Sequence, residues 1–279
     1  MLVDTHAHLN FTEDKEGWCR RAKEAEVNKI ICVGTSVEAS RKCMEISEKY
    51  SSDDLQIYAT VGIHAQDGKS DVDKFGSVDK CIVELRQILD QVENDNRRVV
   101  GVGECGYDIY LEGDTKQVTS ATERKFQKEL FVAQIRLAQE LELPLLIHCR
   151  NAWKETFRLL ERFQGSTSKS RTLKGLFHSW TGDWEAAKRV LEMGFYISFS
   201  GIVTFKNASR VQEVAKKMPS DGMLLETDSP FLTPHPLRGS KNEPKNVKIT
   251  ASFIAQLRNV PVDQLASVTS KNVGRLFGI

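Results

Sequence analysis

The residues of this chain best placed to do chemistry begin almost at its start, with two histidines spaced two apart in Asp4-Thr-His6-Ala-His8. In an extended strand that spacing puts both imidazoles on one face, and two neutral imidazole nitrogens side by side suit a divalent metal. The same pair is also compatible with hydrogen-bonded core polar groups, so the rest of the chain has to decide. Further along, a polar residue repeatedly follows a short apolar run: His64 in Gly62-Ile-His64, Glu104 in Gly101-Val-Gly-Glu104, His148 in Leu146-Ile-His148, His178 in Leu176-Phe-His178 and Asp228 in Leu225-Glu226-Thr-Asp228. One such histidine is ordinarily a satisfied core group, whereas six such sites on one rim point to a shared ligand. A carboxylate beside an apolar core is costly unless paired, and metal coordination is the usual resolution. Four histidines and two carboxylates exceed what one tetrahedral zinc takes. They fit two metals about 3.5 to 4 Å apart that share a bridging carboxylate, a pair that activates water and clamps both attacking and leaving oxygens in phosphate-ester hydrolysis.

Distant residues converge this way only if one architecture brings their segments together. Short runs rich in Val, Ile and Leu at 1–3, 29–34, 57–63, 99–103, 143–147, 173–177, 195–199 and 223–225 read as strands buried on both faces, each followed by a stretch with helical spacing. Eight strand-helix alternations predict one α/β domain, 1–279, folded as a (β/α)8 TIM barrel, with a doubly wound open sheet as the alternative. All six histidines are then expected at or just beyond the C-terminal strand ends, which form the active-site face of such a barrel. Capping-box patterns at Thr35-Ser-Val-Glu38 and Ser120-Ala-Thr-Glu123 mark two helix starts. Behind the second, Phe126, Leu130, Ala133, Leu137 and Leu141 form an apolar stripe. The segments 66–98, with a helix near 83–92, and 164–171 read as surface excursions.

Composition narrows the function. With 40% hydrophobic and 28% charged residues the chain can bury a core. The 39 Lys and Arg against 38 Asp and Glu leave a formal +1, so no global field favours tight binding of long duplex, and short or frayed nucleic-acid ends fit better. No apolar run approaches the roughly 18 residues of a membrane span, and the first residues lack a signal-peptide pattern, so a cytoplasmic protein without a membrane partner is expected. The six scattered cysteines form no CxxC pair and read as reduced, buried thiols.

In order along the chain, Val3-Asp-Thr-His-Ala-His-Leu9, Val61-Gly-Ile-His64, Gly103-Glu-Cys-Gly-Tyr-Asp108, His148-Cys-Arg-Asn-Ala152, Phe177-His178, Ser198-Phe-Ser-Gly201, Leu225-Glu-Thr-Asp-Ser-Pro230, Arg238-Gly and Asn242-Glu-Pro244 resemble the TatD family of metal-dependent deoxyribonucleases, amidohydrolase-like barrels. The resemblance covers nearly the whole chain. It implies one metal on His6, His8, Glu104 and Asp228 and a second on Glu104, His148 and His178, with His64 over the scissile phosphate. The chain departs from the family pattern at Ala65, at Asn151, in His178-Ser-Trp-Thr-Gly182 and at Leu237; none of these is an expected ligand, so the departures bear on substrate preference.

The function expected is a metal-dependent hydrolase cleaving phosphodiester bonds of nucleic acid, an exonuclease-like DNase acting on DNA ends, with RNA or tRNA as further candidate substrates and no obligate protein partner. The catalytic residues expected are Asp228, which accepts a proton from the attacking water, His64, which assists at the phosphate or leaving oxygen, and the bridging Glu104. Two divalent ions among Zn, Mn, Mg, Ni or Fe suit the mixed donors. Among Lys206, Arg238, Lys241 and Lys245 in the last loops, Arg238 and Lys206 are the candidates to bind phosphate, while Trp180 and Phe205 can stack on bases or pack on their own barrel. Tyr107 and Asp108 are read either as outer orienting groups or as turn residues, and His235 is left unassigned. An aminoacyl-tRNA deacylase working by ester hydrolysis on the same centre, and a non-catalytic metal-binding interaction scaffold, are the alternatives.

Overall fold

The computed structural model describes residues 1–90, 98–111, 118–164 and 172–279. Strands and helices alternate along it: β1 (Leu2–Ala7), α1 (Lys15–Glu24), β2 (Val27–Val33), α2 (Val37–Tyr50), β3 (Gln56–Val61), α3 (Gly68–Phe75), α4 (Val78–Asp90), β4 (Val99–Asp108), α5 (Ala121–Leu141), β5 (Leu145–Arg150), α6 (Trp153–Gln164), β6 (Gly175–Phe177), α7 (Trp184–Glu192), β7 (Tyr196–Phe199), α8 (Ser209–Lys217), β8 (Met223–Leu225), α9 (Val247–Arg258) and α10 (Val262–Phe277). The strands stand in chain order from β1 to β8, every neighbouring pair parallel. The sheet closes where β8 leads back to β1. Ala7 bridges Ser229, the Asp228 N–H donates to the His6 carbonyl at 2.8 Å, and the His8 N–H donates to the Ser229 carbonyl at 2.7 Å. This is a (β/α)8 TIM barrel rather than an open sheet.

Alternation along each strand divides the core into two layers. Val3, Ile31, Val33, Val100, Leu146, Leu176 and Leu224 fill the barrel interior, which Val273 and Leu276 of α10 also join. Their strand neighbours, among them Ile30, Cys32, Leu145, Ile147, Phe177 and Leu225, pack outward under the helices. The same parity that turns Leu146, Leu176 and Leu224 inward places His148, His178 and Glu226, two residues on, on the inner side of the mouth. All six cysteines are buried and free.

The structure corrects several expectations. β1, β4 and β5 run on through His6, Glu104 and His148, because backbone pairing continues after the apolar run ends; these three residues lie within strands, not beyond them. The segment from 66 is no excursion: α3 and α4 occupy it, and α4 buries Val78, Cys81, Leu85 and Ile88 against α2 and α5. The expected end of its helix at 91–92 and most of the 164–171 segment lie outside the described residues. At α2 the cap is Ser36, whose side chain accepts from Ala39, rather than Thr35. The capping box at Ser120 is present.

The buried face of α5 is also turned from the expected stripe, toward Gln127, Leu130, Phe131, Gln134, Ile135, Leu137 and Ala138, with Phe126, Ala133 and Leu141 only partly buried. Its two buried glutamines account for the rotation. Gln134 accepts from the Ile63 N–H at 2.8 Å and donates to the Ile63 carbonyl at 2.9 Å, while Gln127 does the same to Asp108 at 3.1 Å each way. These side-chain amides act as substitute strand neighbours for backbone that has just left β3 and is leaving β4. Replacing Gln134 by Leu leaves two buried peptide groups of Ile63 without these partners, at about 1–3 kcal/mol each. Urea unfolding of Gln134→Leu should therefore show a loss of about 2–5 kcal/mol, and a loss under about 1 would contradict this role.

Candidate metal centre

Glu104 sits at the middle of the barrel mouth, 5% exposed. Its approach depends on a glycine pair: a Cβ on Gly62 would collide with the backbone of Gly103, itself at φ 149°, a conformation that favours glycine. The two oxygens of Glu104 face different groups. Oε2 lies 3.3 Å from His6 Nε2 and 3.9 Å from His8 Nε2, and these two nitrogens stand 3.7 and 3.4 Å from Asp228 Oδ1. Oε1 lies 2.9 Å from both His148 Nδ1 and His178 Nε2, which are themselves 2.9 Å apart. One carboxylate thus joins two donor clusters, His6-His8-Asp228 and His148-His178.

A further ring of groups fixes how the imidazoles present themselves. His8 Nδ1 faces the Val33 carbonyl at 3.2 Å, His178 Nδ1 faces Glu226 Oε1 at 3.5 Å, and His148 Nε2 faces Asp108 Oδ1 at 3.3 Å. His8 Nδ1, directed at that carbonyl, carries the proton, which leaves its Nε2 as a lone pair toward Asp228; the rear nitrogens of His148 and His178 lie near their carboxylates without meeting hydrogen-bond geometry. Asp4, fully buried, joins the two segments that close the barrel. It accepts from the Thr227 N–H at 2.9 Å, the Thr227 hydroxyl at 2.5 Å and the His6 N–H at 3.3 Å. That brace supports Asp228 in the left-handed region at φ 58°, which costs a non-glycine residue free energy.

The donor set fits divalent metal. His6 Nε2 and His8 Nε2 are 3.3 Å apart, and lone pairs so placed repel unless a cation or a proton lies between them. Ligands about 2.1 Å from a tetrahedral ion are separated by about 3.4 Å. The first cluster, with separations of 3.3–3.9 Å, is close to that spacing. The second, at 2.9 Å, is nearer the edge of an octahedron, about 3.0 Å for similar bonds. Electrostatics agrees. Burial alone would raise Glu104, but facing His178, His64 and His148 hold it well below the usual carboxylate range. Burial likewise opposes ionisation of Asp228, and His8 and His6 outweigh it. Burial would lower His178, yet Glu104 and Glu226 raise it well above the ordinary value. The carboxylates require positive charge beside them, which either imidazole protons or metal ions provide.

His64 stands at the edge of this group, its Nε2 3.7 Å from Glu104 Oε1 and its ring 4.7 Å from that of His148. Burial pushes its pKa down to about 4. The Gln66 N–H donates to Nδ1 at 3.3 Å, so the neutral ring carries its proton on Nε2, facing the centre. Arg238 and Lys206 are exposed on the rim; the Arg238 guanidinium lies over the Phe205 ring at 4.1 Å and donates to the Thr233 carbonyl at 3.3 Å. Trp180 is not a mouth group: it is 1% exposed and packs on Trp153 at 4.6 Å. His235, in the loop after β8, is exposed, donates its N–H to the Thr204 hydroxyl at 2.8 Å and joins none of the metal-competent clusters of the described residues. Sequence reasoning assigned no role to Asp4, Glu226, Gln127 or Gln134. The first two were visible only as acidic neighbours of His6 and Asp228, and the glutamines gave no signal.

The family model described as TatD related DNase matches residues 3–278. The uncharacterized metal-dependent hydrolase YabD of Bacillus subtilis is 37% identical over 282 residues, covering 100% of both chains. An uncharacterized metal-dependent hydrolase of Buchnera aphidicola subsp. Baizongia pistaciae is 36% identical over 287 residues, covering 100% of this chain and 96% of the relative. The crystal structure of YjjV, a TatD homolog from Escherichia coli K12, superposes with a TM-score of 0.85 at 26% identity, covering 100% of this chain and 98% of that one.

Metal added to chelator-treated protein should raise its thermal midpoint, since an ion that binds only the folded state stabilises it by mass action. At about 100 times Kd the gain is about 2.7 kcal/mol, a few degrees for a chain of this size. Glu104→Gln, which keeps the shape but loses the charge, should remove most of that shift in a fluorimetric melt with Zn or Mn. An undiminished shift would place the metal elsewhere.

Proposed function

The chain belongs to the TatD related DNase family, and we propose from this premise that it is a metal-dependent hydrolase of phosphodiester bonds in nucleic acid, trimming ends as an exonuclease-like DNase. The observation that carries the reading is Glu104, whose two oxygens face two separate donor clusters. His6, His8, Asp228 and Glu104 would hold one divalent ion, and Glu104, His148 and His178 a second, with Zn, Mn, Mg, Ni and Fe all suited to the donors. When bound, such a pair supplies Lewis acidity and neutralises charge as water attacks phosphorus.

The protein groups then divide the work. Asp228, kept ionised by His8 and His6, accepts a proton from the attacking water. His64 offers Nε2–H as a hydrogen-bond donor to a phosphate oxygen, its Nδ1 being occupied by Gln66. Arg238 and Lys206 hold flanking phosphates at the rim, the guanidinium through paired bonds and the ammonium as a point charge. Asp108 and Glu226 lie behind His148 and His178, where their negative charge favours a proton on the rear nitrogens.

The direct test incubates metal-reconstituted chain with end-labelled single-stranded DNA, duplex DNA, RNA and aminoacyl-tRNA. Release of nucleotides from DNA is expected. Release of amino acid instead would make the protein an ester deacylase, and no turnover on any substrate with metal bound would leave a binding scaffold.

Two variants separate the roles. His64→Ala should lower kcat by about 10²–10³, the scale for removing one donor from a developing anion, with metal content unchanged. Because the donor addresses a phosphate oxygen, the loss should be equal for an oligonucleotide and for a nitrophenyl phosphodiester; a much smaller loss on the nitrophenyl ester would make His64 the acid for the leaving oxygen. Arg238→Ala should raise KM for oligonucleotides by about 5- to 100-fold, flatten the salt dependence and spare metal content. Lost metal would give Arg238 a structural role.

A further inference from the structure

Two large apolar side chains stand exposed beside the centre. Phe11, in the turn after β1, is 46% exposed, and Phe231, three residues after Asp228, is 50% exposed. Neither is remote from the chemistry. The Phe11 ring stacks on His8 at 5.2 Å and 20°, and Phe231 meets the same imidazole edge-on at 6.0 Å and 68°. The two phenyl rings meet edge to face at 6.1 Å and 77°, and together they form a corner with His8, a donor of the first cluster, at its inner end.

Their exposure is imposed by a braced backbone. The Phe231 N–H donates to the Asp228 carbonyl at 2.8 Å, and the fully buried Asn242 donates to the carbonyls of both Thr227 (2.9 Å) and Phe231 (2.6 Å). On the other side the Phe11 N–H donates to the His8 carbonyl at 3.0 Å. Rings held rigidly in water beside a reaction centre have a use that isolated surface phenylalanines lack.

We propose that Phe11 and Phe231 form a stacking corner for one unpaired nucleobase of the substrate, the base attached to the scissile phosphate. This rests on the phosphodiesterase reading above. The neighbourhood fits such an occupant: Arg238 and Lys241, both exposed, lie on the loop that carries Phe231, and aromatic faces interleaved with cations suit a chain of flat bases on an anionic backbone. A base inside duplex has both faces covered by its neighbours, so only a terminal or frayed base can enter the corner. Selection for unpaired ends then comes from the rings, and the cations contribute affinity without regard to pairing. Of the two aromatics first considered for stacking, Phe205 is already covered by Arg238 and Trp180 is buried.

The test uses full-length, metal-reconstituted chain and single-stranded oligonucleotides carrying 2-aminopurine at one end or the other, with fluorescence read on binding before turnover. Stacking on phenylalanine should quench the probe at the end that enters the centre. Phe11→Leu and Phe231→Leu should each weaken Kd by about 5- to 100-fold and relieve the quench, raising KM more than they lower kcat. An abasic nucleotide at the same end should bind the unaltered chain as weakly as the normal oligonucleotide binds the variants, an arm that needs no variant to fold. An abasic end bound as tightly as a normal one, or quenching that survives in the double variant, overturns the corner. Cleavage without quenching by the unaltered chain overturns the corner alone, whereas absence of both binding and cleavage overturns the phosphodiesterase reading with it.

Discussion

An ionised carboxylate buried at the axis of a barrel is the constraint on which the rest of the mouth depends. Glu104 has almost no contact with water, and a carboxylate so placed is held only by charge and hydrogen bonds supplied at short range. Five histidines surround it or its neighbour Asp228, and behind His8, His148 and His178 stand the Val33 carbonyl, Asp108 and Glu226. Two of these acceptors, Asp108 and Glu226, are themselves buried carboxylates, so the arrangement balances negative and positive groups over two layers. Removing any one partner exposes another buried charge, which makes the centre a unit instead of a collection of ligands.

The same residues close the fold. The barrel is sealed between β1 and the segment after β8 by backbone bonds of His6, His8, Asp228 and Ser229, with Asp4 bonded to Thr227 across the seam. The donors of the first cluster therefore owe their positions to the final pairing of the sheet, and the second cluster hangs on the adjacent β5 and β6. Chain ends more than 200 residues apart must meet before the first cluster exists, so stability of the barrel and geometry of the centre are not separable there.

Much of this was legible in the sequence. An inward strand parity, once set by Leu146 and Leu176, carries His148 and His178 with it, and short-range pattern suffices to see them; Glu226, turned inward by the same parity after Leu224, was passed over in favour of Asp228. The limits appear where the deciding interaction is long-range. Periodicity on α5 counted Phe126, Ala133 and Leu141 as the packing face because a glutamine reads as polar surface; Gln127 and Gln134 are buried because the ends of β3 and β4 lack strand neighbours there, which no local spacing reveals. The strands β1, β4 and β5 outran their apolar runs because pairing resumes beyond an irregularity: the register shifts between Asp4 and Ala7, around His6, and between Val102 and Cys105, around Glu104, while His148 stays paired with Gly106. Aromatic residues are the hardest case. Trp180 in a mouth loop and Phe231 in another carry the same propensity, and only packing shows that one is enclosed by Trp153 and Phe177 while the other faces water.

A near-neutral chain with a strongly charged centre divides affinity from selectivity in a definite way. With a formal charge of +1 there is little long-range attraction for a polyanion, and exposed cations on the rim are screened over about 8 Å at physiological salt. What holds a substrate must then act at contact, through the centre itself and through the few groups bordering it. Contact forces depend on shape: under the phosphodiesterase function proposed above, a phosphate would have to come close to His64 Nε2, which stands at the edge of the buried centre, and a single flexible strand reaches such a recess more readily than a stiff duplex. With so weak a global field, recognition rests on what can reach the barrel mouth, and the burial that makes Glu104 costly also limits what can approach it.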